Sequence, residues 1–349
     1  MSGINKRKTT EVVDKKITKK VKQQKQPIVL PSVSTIEELI KLAELDIEEH
    51  PNVNMTSLRR IYPHLVDLNN MVGMDSVKQS IFNQIIYYIQ DLHRRDFEGE
   101  YLHTQIIGPP GTGKTTIATI IGRIYRDLGI LGDQGGRVRV IHRDDLVAGF
   151  VGQTAIKTKK ILVQSLGGVL FLDEAYSMGN SDKEDGSDSF AKEAIDTITS
   201  FLSEHKQDFC FIVAGYEEEI KKYFFALNRG LERRFPWKHH IKPYSADELC
   251  LITQKMIQDT HWEIDATPDE IKTIIKNNMD LFKNSGGDVE NFISKTKISH
   301  SKRVFTLDMD IKFRLTRQDF ENGIVLVREN AHDHATEAFK KEKMLSMYT

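Results

Sequence analysis

Short apolar runs alternate with amphipathic segments through the middle of the chain. The runs predict five buried strands, at residues 103–107, 138–141, 168–172, 209–214 and 237–241. Between them, apolar residues recur at helical spacing and predict helices at residues 114–128, 154–165, 190–205 and 217–225. This alternation is typical of an α/β fold, in which a mostly parallel sheet is covered by helices on both faces.

Outside this middle region the pattern is helical only. Beyond Pro243, helices are predicted at residues 246–259, 268–281, 288–300 and 317–337, with a Gly-Gly pair at 286–287 separating two of them. A capping-box pattern at residues 34–37 predicts another helix that runs to about Glu49. The predicted divisions are a tail (1–33), a helical lead-in (34–66), an α/β domain (67–243) and an all-helical domain (244–349).

The charge of the chain is balanced overall but not along its length. The 349 residues carry 49 Lys and Arg against 50 Asp and Glu, which argues against a uniformly basic nucleic-acid coat. Residues 1–30 nevertheless carry nine basic and two acidic side chains, so the remaining 319 residues sum to -8. The net charge of -1 is therefore a basic tail joined to an acidic body.

The tail has too few apolar residues to offset the entropy cost of ordering, so we expect it to be disordered. Arg7 and Lys8, followed after ten residues by the basic stretch 19–22, match the spacing of a bipartite nuclear import signal. The same charges suit contacts with nucleic-acid phosphates, or serve only to keep the tail in solution. The sequence leaves these three alternatives open.

Two cysteines are too few for a disulfide scaffold or a four-cysteine zinc site, which favours a reducing compartment. No apolar stretch approaches the roughly 20 residues that cross a bilayer, and no secretory signal is present at the amino terminus. We expect an intracellular protein, cytoplasmic or nuclear, with no membrane partner.

The strongest chemical signal is a glycine-rich loop between the first predicted strand and its helix. It reads Gly108-Pro109-Pro110-Gly111-Thr112-Gly113-Lys114-Thr115, followed by Thr116. Glycines let the backbone turn tightly and direct N–H groups at phosphate oxygens. The pattern predicts an ATP site, with Lys114 on the β- and γ-phosphates and the Thr115 hydroxyl on Mg²⁺.

A second signal follows the third predicted strand, which ends in Asp173 and Glu174. Carboxylates at a strand end are usually solvated, but in a parallel sheet this end lies beside the phosphate loop. Asp173 is therefore predicted to hold Mg²⁺ together with Thr115. Glu174 is predicted to polarise the attacking water as a general base.

Two further features suggest a ring of subunits. Arg233 and Arg234 precede the fifth strand, where a guanidinium could stabilise the transition state at a neighbour's γ-phosphate, and Arg234 is the favoured candidate. Phe150, Val151 and Gly152 form a loop that could grip a substrate in a central pore. The alternatives are solvated surface arginines and a buried loop anchor.

Taken together, these motifs resemble the AAA+ ATPases, which have a P-loop NTPase fold. Longer strings are similar to the CbbX/CfxQ group, which includes the red-type rubisco activases. The resemblance covers about residues 67–330. The strings that carry it lie at residues 143–147, 150–155, 167–176, 192–196 and 214–216.

The resemblance implies a hexameric ring that hydrolyses ATP and remodels an unknown protein substrate through its pore, where Phe150 would lie. It also implies that Val72 and Gly73 line the adenine pocket and that Tyr216 replaces a polar sensor. The lid string 286–291 lacks the sensor arginine of this branch, so Gly287 is expected to approach the adenosine instead. The alternative function is an ATP-driven switch or loader that binds nucleic acid through residues 1–30.

Overall fold

A computed structural model describes residues 29–47, 49–95, 100–131, 137–150, 152–179, 188–306 and 311–330. The elements described below all lie in one compact unit, which begins at Val33. The import-type pattern at residues 7–22 lies outside the described residues. No described helix combines the length and apolar content needed to cross a membrane.

The five predicted strands are confirmed to within one residue at each end, and they form one parallel sheet. They are β1 (Thr104–Ile107), β2 (Val138–Ile141), β3 (Val169–Leu172), β4 (Cys210–Gly215) and β5 (Trp237–His240). Their order in the sheet is β2-β3-β4-β1-β5. The three central strands are buried along their whole length. Strands β3 and β4 are unbroken apolar runs, as buried parallel strands usually are, whereas β1 contains Thr104 and Gln105.

The register of the sheet brings three segments that carry candidate site residues to one edge. Ile107 pairs with Gly215, and Leu172 pairs with Val213. The backbone N–H of Gly108 then donates to the carbonyl of Gly215, with 3.2 Å between N and O. The loops that follow β1, β3 and β4 therefore begin side by side, as parallel strands require.

The lead-in begins with helix α1 (Ile36–Glu44), which differs from its prediction at both ends. The capping box joins Thr35 and Glu38, one residue later than predicted, because the Glu38 carboxylate accepts hydrogen bonds from Ser34 and Thr35 together. The helix also ends five residues before Glu49.

Helix α2 (Met55–Asn69) was not predicted, and it contains Pro63. A proline inside a helix removes one hydrogen bond and costs about 3 kcal/mol. A buried apolar stripe at helical spacing offsets this cost, and its members are Leu58, Ile61, Leu65 and Leu68. The predicted boundary between residues 66 and 67 falls inside this helix.

Six of the described helices surround the sheet, and the four that were predicted agree with their predictions to within two residues. They are α3 (Asp75–Ile89), α4 (Lys114–Leu128), α5 (Arg143–Leu146), α6 (Thr154–Gln164), α7 (Ser189–Glu204) and α8 (Glu217–Tyr223). Short 3-10 turns lie at Ala175–Met178 and Glu232–Arg234. Helix α4 carries the phosphate loop at its amino end, and its Gly122 packs so closely on β2 and β3 that a Cβ would stand 2.9 Å from Val138.

The domain after Pro243, which we call the lid, has a hydrophobic cluster of its own, which runs from Leu249 to Val327. Its helices are α9 (Ala246–Gln258), α10 (Pro268–Lys276), α11 (Gly286–Val304) and α12 (317–330). The part of the fourth predicted helix beyond residue 330 lies outside the described residues.

Three details of the lid differ from the prediction. The lid is not all helical, because β6 (Glu263–Asp265) pairs in parallel with β7 (Arg314–Thr316). These strands lack an apolar run, so their sequences gave no strand signal. Helix α10 ends at Lys276, and residues 279–281 form a separate 3-10 turn. The Gly-Gly pair does not separate helices but begins α11.

Candidate nucleotide site

A cavity of about 510 Å³ opens at the carboxyl edge of the sheet, beneath the start of α11. Three regions line it: the phosphate loop with the start of α4, the ends of β3 and β4, and the lid. The lining residues are Pro110, Gly111, Gly113, Lys114, Thr115, Thr116, Asp173, Glu174, Tyr176, Gly215, Tyr216, Met256, Gly286, Gly287 and Glu290. Most residues predicted to bind ATP therefore meet in one place.

The phosphate loop needs its glycines for both conformation and space. Gly111 and Gly113 have φ of +66° and +82°, in the left-handed region that favours glycine. A Cβ at Gly111 would stand 1.9 Å from the carbonyl oxygen of Asn284 in the lid. The N–H of Gly286 donates to the carbonyl of Gly111 with 2.9 Å between N and O, so at this point the lid and the loop are in direct backbone contact.

Lys114 is folded back over its own loop. Its Nζ donates to the carbonyls of Gly108 and Pro109, at 3.0 and 2.8 Å, and lies 5.2 Å from the ring centre of Tyr216. Partial burial lowers the pKa of Lys114, and the nearby carboxylates of Asp173 and Glu174 oppose that shift. The cation is therefore poised at the place where phosphate oxygens would enter.

Two oxygen groups suited to Mg²⁺ lie in contact across the cavity floor. The Thr115 hydroxyl donates to Oδ2 of Asp173 at 2.8 Å, and the N–H of Glu174 donates to Oδ1 at 3.0 Å. Hydroxyl and carboxylate oxygens are the hard ligands that Mg²⁺ prefers, and it usually completes its shell with water and phosphate oxygens. Within the described residues, no group of three or more His, Cys, Asp or Glu could hold a metal.

Glu174 projects from a turn in the left-handed conformation, with φ of 48°. Its side chain is exposed to the cavity. Tyr176, two residues on, stacks on Tyr216, with ring centres 5.4 Å apart and planes inclined by 26°. Burial raises the pKa of both tyrosines, and the charge of Glu174 adds to the shift at Tyr176. The tyrosines therefore remain protonated hydroxyls at neutral pH.

The segment expected to line an adenine pocket lies beside the loop and does not line the described cavity. Gly73 has φ of +65°, and a Cβ there would stand 2.0 Å from Oε1 of Glu248 in α9. The methyl groups of Met71 and Met74 reach to within 3.5 Å of the position a Cβ on Gly113 would take. The segment therefore links the loop to the lid.

Some predicted binding residues support the cavity from outside its lining. They are Val72, Gly73, Gly108, Pro109 and Thr112. Thr112 is buried, and its carbonyl accepts a hydrogen bond from the hydroxyl of Tyr244 at 3.1 Å. Burial, with a contribution from Glu248, raises the pKa of Tyr244 to about 12, so the hydroxyl stays a donor between sheet domain and lid.

The two candidate arginines differ in their contacts, and neither lines the cavity. Nε and Nη2 of Arg234 donate to the Ser203 hydroxyl at 2.9 and 2.6 Å, and Nη1 donates to the carbonyl of Gly230. Arg233 is exposed. The donors of Arg234 are thus used by groups of its own chain, whereas the Arg233 side chain is exposed.

The predicted pore loop is also away from the cavity. Phe150 is 74% exposed, which is unusual for a phenylalanine. Val151 lies outside the described residues, and Gly152 has φ of +77°. The base of the loop is fixed, because Ala148 N–H donates to the Thr154 hydroxyl and Lys157 donates to the Val147 carbonyl, at 3.1 and 2.9 Å.

Sequence reasoning missed five residues at the cavity: Tyr176, Gly215, Met256, Gly286 and Glu290. Tyr176 was detectable, because it follows the strand-end carboxylates by two residues. Met256, Gly286 and Glu290 were not, because no local pattern in α9 or α11 shows that these three residues meet the phosphate loop.

The chain is similar to several known proteins. Residues 105–237 match the model of the ATPase family associated with various cellular activities (AAA). A cfxQ-like protein of Acanthamoeba polyphaga mimivirus is 37% identical, over 77% of this chain and 66% of that protein. The stage V sporulation protein K of Bacillus subtilis is 32% identical, over 70% of this chain and 77% of that protein. The chloroplastic rubisco activase of Cyanidioschyzon merolae is 34% identical, over 60% of this chain and 67% of that protein.

The fold also has a counterpart among solved structures. The AAA domain of FIGL-1 in complex with ADP superposes with a TM-score of 0.53 and 17% identity, over 78% of this chain and 89% of that one. At that identity the likeness concerns the fold.

The chain belongs to the AAA family of ATPases, enzymes that hydrolyse ATP. Within that family it belongs to the CfxQ/CbbX-like branch, as its similarity to the cfxQ-like protein and to rubisco activase shows. It spans 66% of the length of the mimivirus relative.

Proposed function

We propose that the cavity binds ATP and that Glu174 activates the water that attacks the γ-phosphate. One observation carries this proposal: Glu174 follows Asp173, whose carboxylate is already hydrogen-bonded to Thr115 at the end of the phosphate loop. A base in this position faces the region where a terminal phosphate would lie. The ADP in the FIGL-1 complex is consistent with a nucleotide in this fold.

The other groups have roles that follow from their positions. Lys114 would exchange its two carbonyl contacts for phosphate oxygens when ATP binds. Thr115 and Asp173 would hold Mg²⁺, which supplies positive charge to the phosphates when bound. Loop N–H groups and the amino end of α4 favour the same anionic ligand.

The first prediction concerns Glu174→Gln. This variant keeps the size of the side chain but cannot accept a proton, so we expect ATP binding to persist and hydrolysis to fall by about 10²–10⁴-fold. Fluorescent-nucleotide titration and phosphate release measure the two separately. Glu218→Gln is the matched control, since Glu218 is exposed on α8 and does not line the cavity. Normal hydrolysis by Glu174→Gln would remove Glu174 as the base.

We further propose that subunits assemble into a hexameric ring in which an arginine of one subunit completes the site of the next. The resemblance favours Arg234, but its contacts with Ser203 and Gly230 occupy its donors within its own subunit. Exposed Arg233 is the alternative. Either one would stabilise charge on the transferred phosphoryl group.

The second prediction uses mixed subunits. An arginine-to-alanine variant and Glu174→Gln should each be inactive alone, whereas a mixture should regain hydrolysis, because some sites then combine an intact Glu174 with a neighbour's intact arginine. Testing Arg233→Ala and Arg234→Ala in separate mixtures identifies which residue acts. If neither mixture regains activity while both variants assemble normally, no arginine acts across subunits.

The ring proposal includes a protein substrate engaged by Phe150. The support is a large apolar side chain that is 74% exposed on a loop with a fixed base. The names of the relatives point to different processes, sporulation and rubisco activation, so the substrate class remains a protein of unknown identity. A Phe150→Ala variant that still crosslinks its captured substrate as the parent does would contradict this role.

A second candidate function rests on the basic tail. Nine basic side chains among residues 1–30 suit binding to a phosphate backbone, which would make the chain an ATP-driven switch or loader on nucleic acid. This function predicts that DNA stimulates ATP hydrolysis and that added salt or deletion of residues 1–30 abolishes the effect. Equal activity with and without DNA would exclude it.

A further inference from the structure

A second cavity, of about 520 Å³, lies away from the nucleotide site, and neither the sequence motifs nor the proposed function gives it a task. It is lined by Tyr87, Glu100, Tyr101, Pro236 and Trp237, a group that we call the aromatic cage. We propose that the aromatic cage binds a lysine or arginine side chain of a partner protein, held by the aromatic rings and by the Glu100 carboxylate.

The aromatic cage lies at the amino ends of two neighbouring strands. Thr104 at the start of β1 pairs with Trp237 at the start of β5, and Tyr101 stands three residues before Thr104. Tyr87 comes from α3, which packs against β5. The nucleotide cavity opens at the carboxyl edge of the same sheet, so ATP and a ligand of the aromatic cage would bind at opposite edges.

Three of the lining residues, Tyr87, Tyr101 and Trp237, are aromatic. An aromatic ring carries negative potential on its face, and a cation within about 6 Å of the ring centre is attracted to it. This attraction is stronger where the cation is shielded from water, as it is among several rings. Three aromatic residues around one cavity therefore favour a ligand that carries a positive charge.

The charge of the cavity indicates the same class of ligand. Among the described residues that line it, only Glu100 carries a charge. The Tyr87 hydroxyl donates to Oε1 of Glu100 at 3.0 Å, which holds the carboxylate beside an aromatic residue. A carboxylate accepts about four hydrogen bonds, so positions remain for a ligand with N–H donors. An uncharged apolar ligand would displace water from Glu100 and supply no donor, which is unfavourable.

One cation of the chain already makes this kind of contact. Nζ of Lys206 lies 5.5 Å from the ring centre of Tyr101. Lys206 is not among the described residues that line the cavity, so it contacts the ring without occupying the aromatic cage. A lysine ammonium group is therefore compatible with the surroundings of this ring.

The aromatic residues are held in place by buried neighbours. The Tyr87 ring packs on Tyr88, with ring centres 5.3 Å apart, and Tyr88 is buried. The Tyr101 ring lies 5.7 Å from the ring of His103, which is completely buried. Rings that are already in place lose little freedom when a ligand binds, so more of the contact energy contributes to affinity.

The cavity is accessible to a side chain of another protein. Its lining residues are all at least partly exposed, and Pro236 is the most exposed class of the five. The volume of about 520 Å³ is within the range of about 300–1,000 Å³ that is typical of ligand pockets. Lysine and arginine carry their charge on a flexible stem of methylene groups, so they can enter while their backbone stays at the surface.

Peptide titration tests the proposal. The probe is the acetylated and amidated peptide Gly-Ser-Lys-Ser-Gly, and its matched control has uncharged norleucine in place of lysine. In Trp262→Phe, Trp237 is the remaining tryptophan of the chain, so its emission reports binding at the aromatic cage. We expect the lysine peptide and its arginine counterpart to bind about tenfold more tightly than the norleucine peptide. Equal binding of all three peptides, or an emission that none of them changes, overturns the proposal.

Substitutions in the aromatic cage test the rings and the carboxylate separately. Tyr101→Leu should weaken binding of the lysine peptide about tenfold, whereas Tyr101→Phe, which keeps the ring, should bind within about twofold of the parent. Glu100→Gln should weaken binding about threefold, because it removes the charge and keeps the shape. Glu44→Gln is the matched control, since Glu44 also accepts from a tyrosine hydroxyl, that of Tyr62 at 2.9 Å, but does not line the cavity. If neither Tyr101→Leu nor Glu100→Gln weakens binding more than Glu44→Gln does, the cavity is not the site.

A peptide with trimethyllysine tests the need for N–H donors. Trimethyllysine keeps the positive charge but has no N–H to donate to Glu100, so we expect it to bind more weakly than lysine. Tighter binding of the trimethyllysine peptide would overturn the assignment to an unmodified side chain. ATP hydrolysis by Tyr101→Leu and Glu100→Gln should equal that of the parent, because the aromatic cage lies at the opposite edge of the sheet from the nucleotide cavity.

Discussion

The sheet domain and the lid differ in the buried titratable groups whose pKa is lowered most. His103, directly before β1, and His239, within β5, are buried as neutral rings, and burial lowers their pKa to about 3 and about 4. In the lid, Asp319 is buried as a charged carboxylate. The difference means that acid, or the loss of one hydrogen-bond partner, should affect the two domains in different ways.

The lid carboxylate is the centre of a small network. Asp319 accepts from Nε and Nη2 of Arg303 at 2.9 and 2.8 Å, from the N–H of Thr316 at 2.8 Å, and contacts His300 at 3.1 Å. Burial alone would raise the pKa of Asp319, but these hydrogen bonds outweigh it and hold the pKa at about 2. The network joins α11 to α12 through charge, whereas apolar contacts join the sheet to its helices.

The largest expected effect therefore comes from Asp319→Asn. Removing the charge leaves Arg303 without its buried partner, and breaking a buried pair costs about 3–5 kcal/mol. The two tryptophans report the domains separately, because Trp237 begins β5 and Trp262 contacts His300 in the lid. In variants with a single tryptophan, thermal unfolding at Trp262 should shift strongly and unfolding at Trp237 should not.

Asp280→Asn provides the matched control. Asp280 pairs with Arg328 at 3.5 Å, but both side chains are about half exposed, so the loss should be below about 1 kcal/mol. Similar shifts from Asp319→Asn and Asp280→Asn would mean that the buried network contributes no more than a surface pair, and the contrast between the domains would disappear.

Acid should act on the two domains in sequence. An unfolded histidine binds a proton below its ordinary pKa of 6.5, whereas buried His103 and His239 resist it until about pH 3–4. Their contribution to the free energy of unfolding is thus complete above pH 6.5. It is lost as the pH falls, and the loss is about 2 kcal/mol per histidine at pH 5. The contribution of Asp319 is complete above its ordinary pKa of 3.8 and is lost as the pH falls through about 2.

We therefore expect the sheet domain to unfold at a higher pH than the lid. Acid titration of the two single-tryptophan variants measures both midpoints in one protein, with Trp237 changing before Trp262. Replacing His239 by leucine should move the Trp237 midpoint to lower pH and leave the Trp262 midpoint in place. A lid that unfolds first would contradict this interpretation of the buried groups.

The parts of the fold that were predictable are those with a local sequence signal. Apolar runs indicate the strands, and glycines that a tight turn requires indicate the phosphate loop. Helix α2 was missed, and it contains Pro63, a local signal for a break that the buried stripe of Leu58, Ile61, Leu65 and Leu68 overrides. Strands β6 and β7 were missed because three-residue strands that are mostly exposed have no apolar pattern.

Part of the cavity was predictable from local residue patterns. Lys114, Thr115, Asp173 and Glu174 were found because their residue types and spacing follow from binding a phosphate and a metal ion. The contacts of Tyr176 depend on Gly215 and Tyr216, about 40 residues later, and only the pairing of β3 with β4 brings these together. The close approach of Gly286 to Gly111 likewise appears only when the lid is in place.

The close approach of Gly286 to Gly111 gives the smallest of the expected effects, and this effect concerns the boundary between the domains. A Cβ at Gly286 would stand 2.6 Å from the carbonyl oxygen of Gly111, whereas a Cβ at Gly287 would have no neighbour within 4 Å. Gly286→Ala must therefore push the lid away from the phosphate loop, and we expect ATP affinity to fall by about tenfold, or about 1.4 kcal/mol. Both tryptophan midpoints should stay unchanged, because the two cores are untouched.

Gly287→Ala then distinguishes a loss of ATP affinity caused by a shifted lid from one caused by lost contact with the nucleotide. Without nucleotide, hydrogen exchange at residue 286 should accelerate in Gly286→Ala, because its N–H loses the Gly111 carbonyl, and should stay slow in Gly287→Ala. If Gly287→Ala lowers ATP affinity with that amide still protected, the loss comes from contact with the nucleotide, as the family resemblance implies. If the two variants behave alike in exchange and in affinity, docking of α11 on the loop does not depend on the close approach at Gly286.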